Sequence, residues 1–206
     1  MGDFGHLFEN FDTFYPKLKA MIQYGKLQGL DLDPEDGQNS LDNIKKLVKA
    51  LRDDFGPEFI ISLTPTVQEL IFGGEGLAGF DYFQLEKDMG PDISFYNAQF
   101  YNGWGDLHVT NNYHNIVESG LFNPLKVTAF TLTNPDSPGF EGFVPLSDQL
   151  EVVGALAQQY GAQFGGVAGR DYWNSLPGGT EEPWIWAKLM QAAMVSPDES
   201  AENTYE

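Results

Sequence analysis

Segments of helical and extended periodicity alternate along this chain, and that alternation restricts the fold more than any other feature. Phe14, Leu18, Met21 and Ile22 recur at helical spacing, with Asp12 or Thr13 as cap, Pro16 in the first turn and Gly25 as the stop. Residues 26–33 then read as a strand. Ser40 caps the next helix, whose apolar stripe is Leu41, Ile44, Leu47, Val48 and Leu51. Gly56-Pro57 breaks it. Residues 59–63 form a nearly continuous apolar run, as in a strand buried on both faces. Further strands are expected at 93–101, 125–131 and 164–169. The helices between them fall at 112–118 and from a Ser147 cap to about Tyr160, and Pro183 opens a last helix. Such alternation predicts an α/β fold of parallel βαβ units, with functional residues at the C-terminal ends of strands.

The first strand carries the densest chemistry. Asp31, Asp33 and Glu35 stand two residues apart, so an extended backbone puts all three carboxylates on one face and Leu30, Leu32 and Pro34 on the other. The apolar side packs against helices, and the acids face a barrel interior or the mouth of a cleft. Gathering three carboxylates is costly. It favours keeping one of them protonated near neutrality, which is what a general acid requires. The same stretch also reads as a solvated acidic turn before the Ser40 helix. A calcium loop fits less well, because Gly37 is one place late and Asp42 stands where a Glu is needed.

Composition narrows the classes of function. A net charge of −19 opposes nucleic acid and anionic membrane as partners and suits a neutral or cationic ligand, or simply solubility. With no cysteine and three histidines, the usual zinc ligand sets are absent. No apolar run is long enough to span a membrane. The opening Met-Gly-Asp-Phe-Gly-His lacks a signal-peptide pattern, so the chain as it stands is expected in the cytoplasm, or outside the cell if a further N-terminal part precedes it. The glycine-rich loop at 73–79 lacks the spacing of a phosphate cradle.

Two more stretches belong with the acids. In Asn97-Ala98-Gln99-Phe100-Tyr101-Asn102, Gln99 and Tyr101 share a strand face, and Trp104 follows within Gly-Trp-Gly. Tyr101 on its own also reads as a core tyrosine, and Trp104 as a buried one. The third stretch, Phe164 to Ser175, contains Gly165-Gly-Val-Ala-Gly-Arg170-Asp-Tyr172-Trp173. Together the three resemble glycoside hydrolase family 18, the chitinases and endo-β-N-acetylglucosaminidases, over most of the chain. The family's Asp-x-x-Asp-x-Asp-x-Glu is matched by Asp31, Asp33 and Glu35, with Gln28 in place of its first Asp. Its Gln-x-Tyr-Asn is matched by Gln99, Tyr101 and Asn102, and its strand-eight segment by residues 165–172.

The resemblance implies a partial (β/α)8 barrel of about five parallel strand–helix units, strands four to eight of the family barrel, over residues 1–195; the acidic, polar composition of 196–206 reads as a disordered tail. A complete barrel takes about 250 residues. It implies substrate-assisted retaining hydrolysis of β-linked N-acetylglucosamine, with no metal or organic cofactor and a chitin-type oligosaccharide as partner. Glu35 is the implied acid, Asp33 the residue that holds the acetamido N–H, Asp31 the one sharing its proton, and Tyr101 the donor to the acetamido carbonyl. Gln99, Asn102, Trp104, Arg170 and Trp173 are the implied sugar-binding residues. Arg170 stands where the family has a tryptophan floor; an arginine is not a flat apolar platform, and Trp173, Trp184 or Trp186 is needed to compensate. The alternative is a non-catalytic carbohydrate-binding relative or an inactive fragment. With five units, Asp31, Asp33, Glu35 and Tyr101 are expected on an exposed face.

Overall fold

The fold, a computed structural model describing residues 4–35, 37 and 39–195, has two compact units that divide between Tyr96 and Asn97, inside the third strand. The stretch read as an acidic tail, 196–206, lies outside the described residues.

The first unit opens with α1 (Phe4–Glu9) and α2 (Phe11–Gly25). Stacked rings of Phe8, Phe11 and Tyr15, 6.0 and 5.0 Å apart, carry α2 further back than the expected cap at Asp12 or Thr13. Pro16 therefore lies inside the helix and not in its first turn. Lys26 ends it in the left-handed region at φ 51°. Next come β1 (Gly29–Leu32) and α3 (Leu41–Phe55), capped as expected by Ser40, whose Oγ accepts from Asn43 N. Ile44, Leu47, Val48 and Leu51 of α3 are fully buried, each worth roughly 1.5–3 kcal/mol of transfer from water. Arg52 closes the end of α3 by donating to the carbonyls of Gly56, Pro57, Phe59 and Asp92. After β2 (Ile60–Leu63) stand two helices that the sequence reading did not assign, α4 (Val67–Phe72) and α5 (Tyr82–Met89). Strand β3 (Phe95–Gln99) begins in this unit.

The second unit takes up the rest of β3 and continues with α6 (Asn111–Glu118), β4 (Val127–Leu132), α7 (Leu146–Tyr160), β5 (Val167–Arg170) and α8 (Trp184–Met194). Ser147 does not cap α7: the N-cap is Pro145, and the Ser147 hydroxyl donates to Asp148. Buried Gln149 ties three elements together. Its Nε2 donates to Leu132 O at 2.9 Å and Val144 O at 2.6 Å, and its Oε1 accepts from Trp186 Nε1 at 3.0 Å. The Tyr113 hydroxyl bonds Pro124 O and Val127 O at 2.9 and 3.1 Å, and burial holds it protonated well above its ordinary range. Gly165 lies so close to β4 that a Cβ there would collide with Val127 O and stand 2.7 Å from Pro124 O.

Strand order is β1-β2-β3-β4-β5, all parallel, each strand followed by helix. The registers set Asp31 against Ser62 and Leu132 against Arg170. These are the parallel βαβ units that the alternation predicts and the partial (β/α)8 barrel that the resemblance implies. Among the described residues no helix is long and apolar enough to cross a membrane.

Candidate active site

In the first unit the acids leave the C-terminal end of β1 as the alternation requires. Asp31, Asp33 and Glu35 are exposed, and Leu32 and Pro34 between them are buried. Leu32, 2% exposed, anchors the strand and fixes which way the carboxylates face. The Asp31 carboxylate is gripped from the neighbouring strand. Ser62 Oγ donates to its Oδ1 at 2.6 Å and Thr64 Oγ1 to its Oδ2 at 2.7 Å. The register sets Asp31 beside Ser62, and beyond the strand the alternation of exposure continues, with Asp33 and Glu35 exposed and Pro34 buried.

The turn after Glu35 is held by the glycine-rich loop. Gly37 N donates to Leu77 O at 2.9 Å, and Gly79 N to Glu75 O at 2.8 Å. Gly79 has φ 80° and sits so tightly that a Cβ would lie 2.8 Å from Asn39 O, so only glycine fits. The loop in turn hangs on Glu69, 5% exposed. One Glu69 oxygen accepts from Thr66 N at 2.8 Å and Thr66 Oγ1 at 2.9 Å, and the other from Ala78 N at 3.0 Å. The loop is thus a brace for the acid-bearing turn and not a phosphate cradle. Beneath lies Tyr82, wholly buried; burial first, then the negative charges of Glu69, Asp33, Asp31 and Glu35, keep its phenol protonated far above its ordinary value. Sequence reasoning did not single out Ser62, Thr64, Glu69 or Tyr82. The signals were present in the alternation Ile61-Ser62-Leu63-Thr64 and in the capping box Thr66-x-x-Glu69.

The second unit carries the other residues read from the sequence. Gln99 and Tyr101 are buried, at 2% and 1% exposure. The expectation that Tyr101 lies on an exposed face is therefore corrected: Phe130 and Phe140 meet its ring edge-on at 5.6 and 5.7 Å, and Trp104 covers it at 5.9 Å. Asn102, at φ 55°, clips the loop that holds Phe140. Its N donates to Glu141 O at 2.9 Å, and its Oδ1 accepts from Glu141 N at 2.7 Å. Asn102, Gly139, Phe140 and Glu141 line a cavity of about 400 Å³. The Arg170 guanidinium lies 4.1 Å over the Phe140 ring and its Nε is 3.8 Å from Asp171. That Nε is buried with no hydrogen-bond partner among the described residues. Arg170 thus comes with an aromatic partner that the sequence did not reveal, the Phe140 ring beneath its guanidinium. Of the tryptophans considered as replacements, Trp173 and Trp184 are 60% and 50% exposed, and Trp186 is removed by its place in the core with Val153 and Met190.

No family model and no curated protein matches the chain. Solved structures do. A fungal endo-β-N-acetylglucosaminidase from glycosyl hydrolase family 18 is similar at 40% identity and a TM-score of 0.80, over 89% of this chain and 62% of that one. The chitinase ChiC from Aspergillus fumigatus is similar at 40% identity and a TM-score of 0.79, over 95% of this chain and 69% of that one. A family 18 chitinase from Pseudoalteromonas aurantia shares the fold at 24% identity and a TM-score of 0.73. A parallel strand–helix fold with acids at the end of β1, 40% identical to such enzymes over nearly its whole length, defines the class: the chain belongs to glycoside hydrolase family 18. It spans 62% to 69% of the length of these two relatives.

Proposed function

We propose that this protein is a glycoside hydrolase acting on β-1,4-linked N-acetylglucosamine, as in chitin oligosaccharides, by substrate-assisted retention. The observation that carries this is the 40% identity to an endo-β-N-acetylglucosaminidase and a chitinase, joined to three carboxylates presented together at the end of β1. Glu35, on the outward face, protonates the glycosidic oxygen as the bond to the leaving sugar breaks. The substrate's own acetamido oxygen attacks the anomeric carbon and forms an oxazolinium. Asp33 accepts the acetamido N–H and balances the positive charge where it develops. Water then opens the ring with Glu35 as base, so configuration is retained. Tyr101 takes the role of donor to the acetamido carbonyl, and Gln99, Asn102, Trp104, Arg170 and Trp173 take the sugar-binding roles.

Proton NMR of N-acetylchitotetraose during turnover tests the proposal. Early accumulation of the β-anomer supports it, and early accumulation of the α-anomer contradicts the acetamido mechanism. Solvent exposure of all three carboxylates favours a second reading, binding without turnover, because water screens the charges that tune an acid. Saturable binding of the tetramer with no cleavage would establish it.

A further inference from the structure

Both oxygens of Asp31 are occupied by hydroxyl hydrogens from β2: Ser62 Oγ at 2.6 Å on Oδ1 and Thr64 Oγ1 at 2.7 Å on Oδ2. Both hydroxyls are themselves nearly buried, at 4% and 5% exposure. Their placement follows from the backbone: the register pairs Asp31 with Ser62, and Thr64 N donates to Leu32 O at 3.0 Å, which pins Thr64 beside β1. Ser62 within β2 and Thr64 just past its end are polar residues alternating with Ile61 and Leu63, which are fully buried. Burying two hydroxyls there costs free energy unless each has an acceptor. Asp31 is that acceptor.

We infer that Ser62 and Thr64 are positioning residues for the reaction, holding the Asp31 carboxyl group in one orientation. This rests on the hydrolase reading and adds two residues to it. Two hydroxyls, one on each oxygen, fix the plane of the Asp31 carboxyl two residues before Asp33. The hydroxyls act only through Asp31 and touch no substrate.

The test is steady-state hydrolysis of a fluorogenic N-acetylchitooligosaccharide by the full chain and by Ser62→Ala, Thr64→Val, Ser62→Thr and Thr64→Ser. Each deletion is expected to lower kcat about tenfold or more with KM within about twofold, because the hydrogen bond that orients Asp31 acts in the transition state and not in ground-state binding. The conservative variants, which restore a hydroxyl, are expected to recover most of the rate. A general loss of fold lowers the active fraction in both kinds of variant alike, so circular dichroism and the recovery in Thr64→Ser and Ser62→Thr separate the two cases. Unchanged kcat in both deletions, or equal losses in deletion and conservative variants, overturns the assignment. Lack of turnover in the unaltered chain overturns the hydrolase reading itself and this assignment with it.

Discussion

Replacing Glu69 by alanine removes the brace under the acid-bearing turn, and the structure sets the size of the effect. Glu69 is 5% exposed and receives three donors: Thr66 N, Thr66 Oγ1 and Ala78 N, at 2.8, 2.9 and 3.0 Å. Alanine leaves two buried backbone N–H groups without an acceptor, at about 1–3 kcal/mol each. Part of that is the loss of the α4 capping box, about 1 kcal/mol. Removing a buried charge returns some of the cost, so about 3 kcal/mol of destabilisation is expected, a large share of a domain's usual 5–15 kcal/mol. Glu69→Gln keeps the shape but turns an amide N–H₂ toward one donor, and about half the loss is expected. All four tryptophans, at 104, 173, 184 and 186, lie beyond Tyr96 and do not report this region directly. The assay is therefore urea unfolding by circular dichroism, paired with hydrogen exchange at Gly37, Ala78 and Gly79. Faster exchange at Gly37 is the specific consequence, because its N–H is held by Leu77 O. A loss under about 1 kcal/mol with unchanged protection at Gly37 would refute the brace.

Two further outcomes follow from side chains away from the acids. Asp54 is held below its ordinary value of 3.8, first by the hydrogen bond from Lys19 at 2.6 Å and then by that from Tyr15 at 2.9 Å. A depressed carboxylate contributes stability in full above its ordinary value and loses it as pH falls through the lower folded value. Asp54→Asn is therefore expected to flatten the acid-side decline of the urea midpoint below about pH 4; an identical pH profile would count against the pairing. Arg170→Ala should cost only about 0.5–1 kcal/mol of stability, the worth of its contact with Phe140, while weakening N-acetylchitotetraose binding measured by calorimetry. Unchanged affinity would remove Arg170 from the sugar-binding residues.

How much of this was legible in the sequence depends on whether a residue's role is local. The α3 stripe and its Ser40 cap are local facts, and they stand where periodicity put them. The outward face of Asp31, Asp33 and Glu35 follows from alternation with Leu32 and Pro34 alone. The start of α2 was misplaced because ring stacking of Phe8 on Phe11, not capping propensity, sets it. Helices α4 and α5 were hidden by their brevity and by the glycines between them, although Thr66-x-x-Glu69 marked the first. Contacts between distant segments were out of reach. Nothing in the order of residues says that Ser62 and Thr64 reach Asp31, that Phe140 lies under Arg170, or that three rings come together around Tyr101.

The most direct measurement of the central claim compares turnover of a fluorogenic N-acetylchitooligosaccharide by the unaltered chain and by Glu35→Gln, with calorimetric binding of N-acetylchitotetraose to both. The amide is isosteric with the carboxyl group and cannot donate its proton, so hydrolysis should fall at least about a hundredfold while affinity stays within a few fold. Turnover in Glu35→Gln within about tenfold of the unaltered chain would contradict the assignment of Glu35 as the acid. An unaltered chain that binds the tetramer but never cleaves it would contradict hydrolysis and leave a carbohydrate-binding protein.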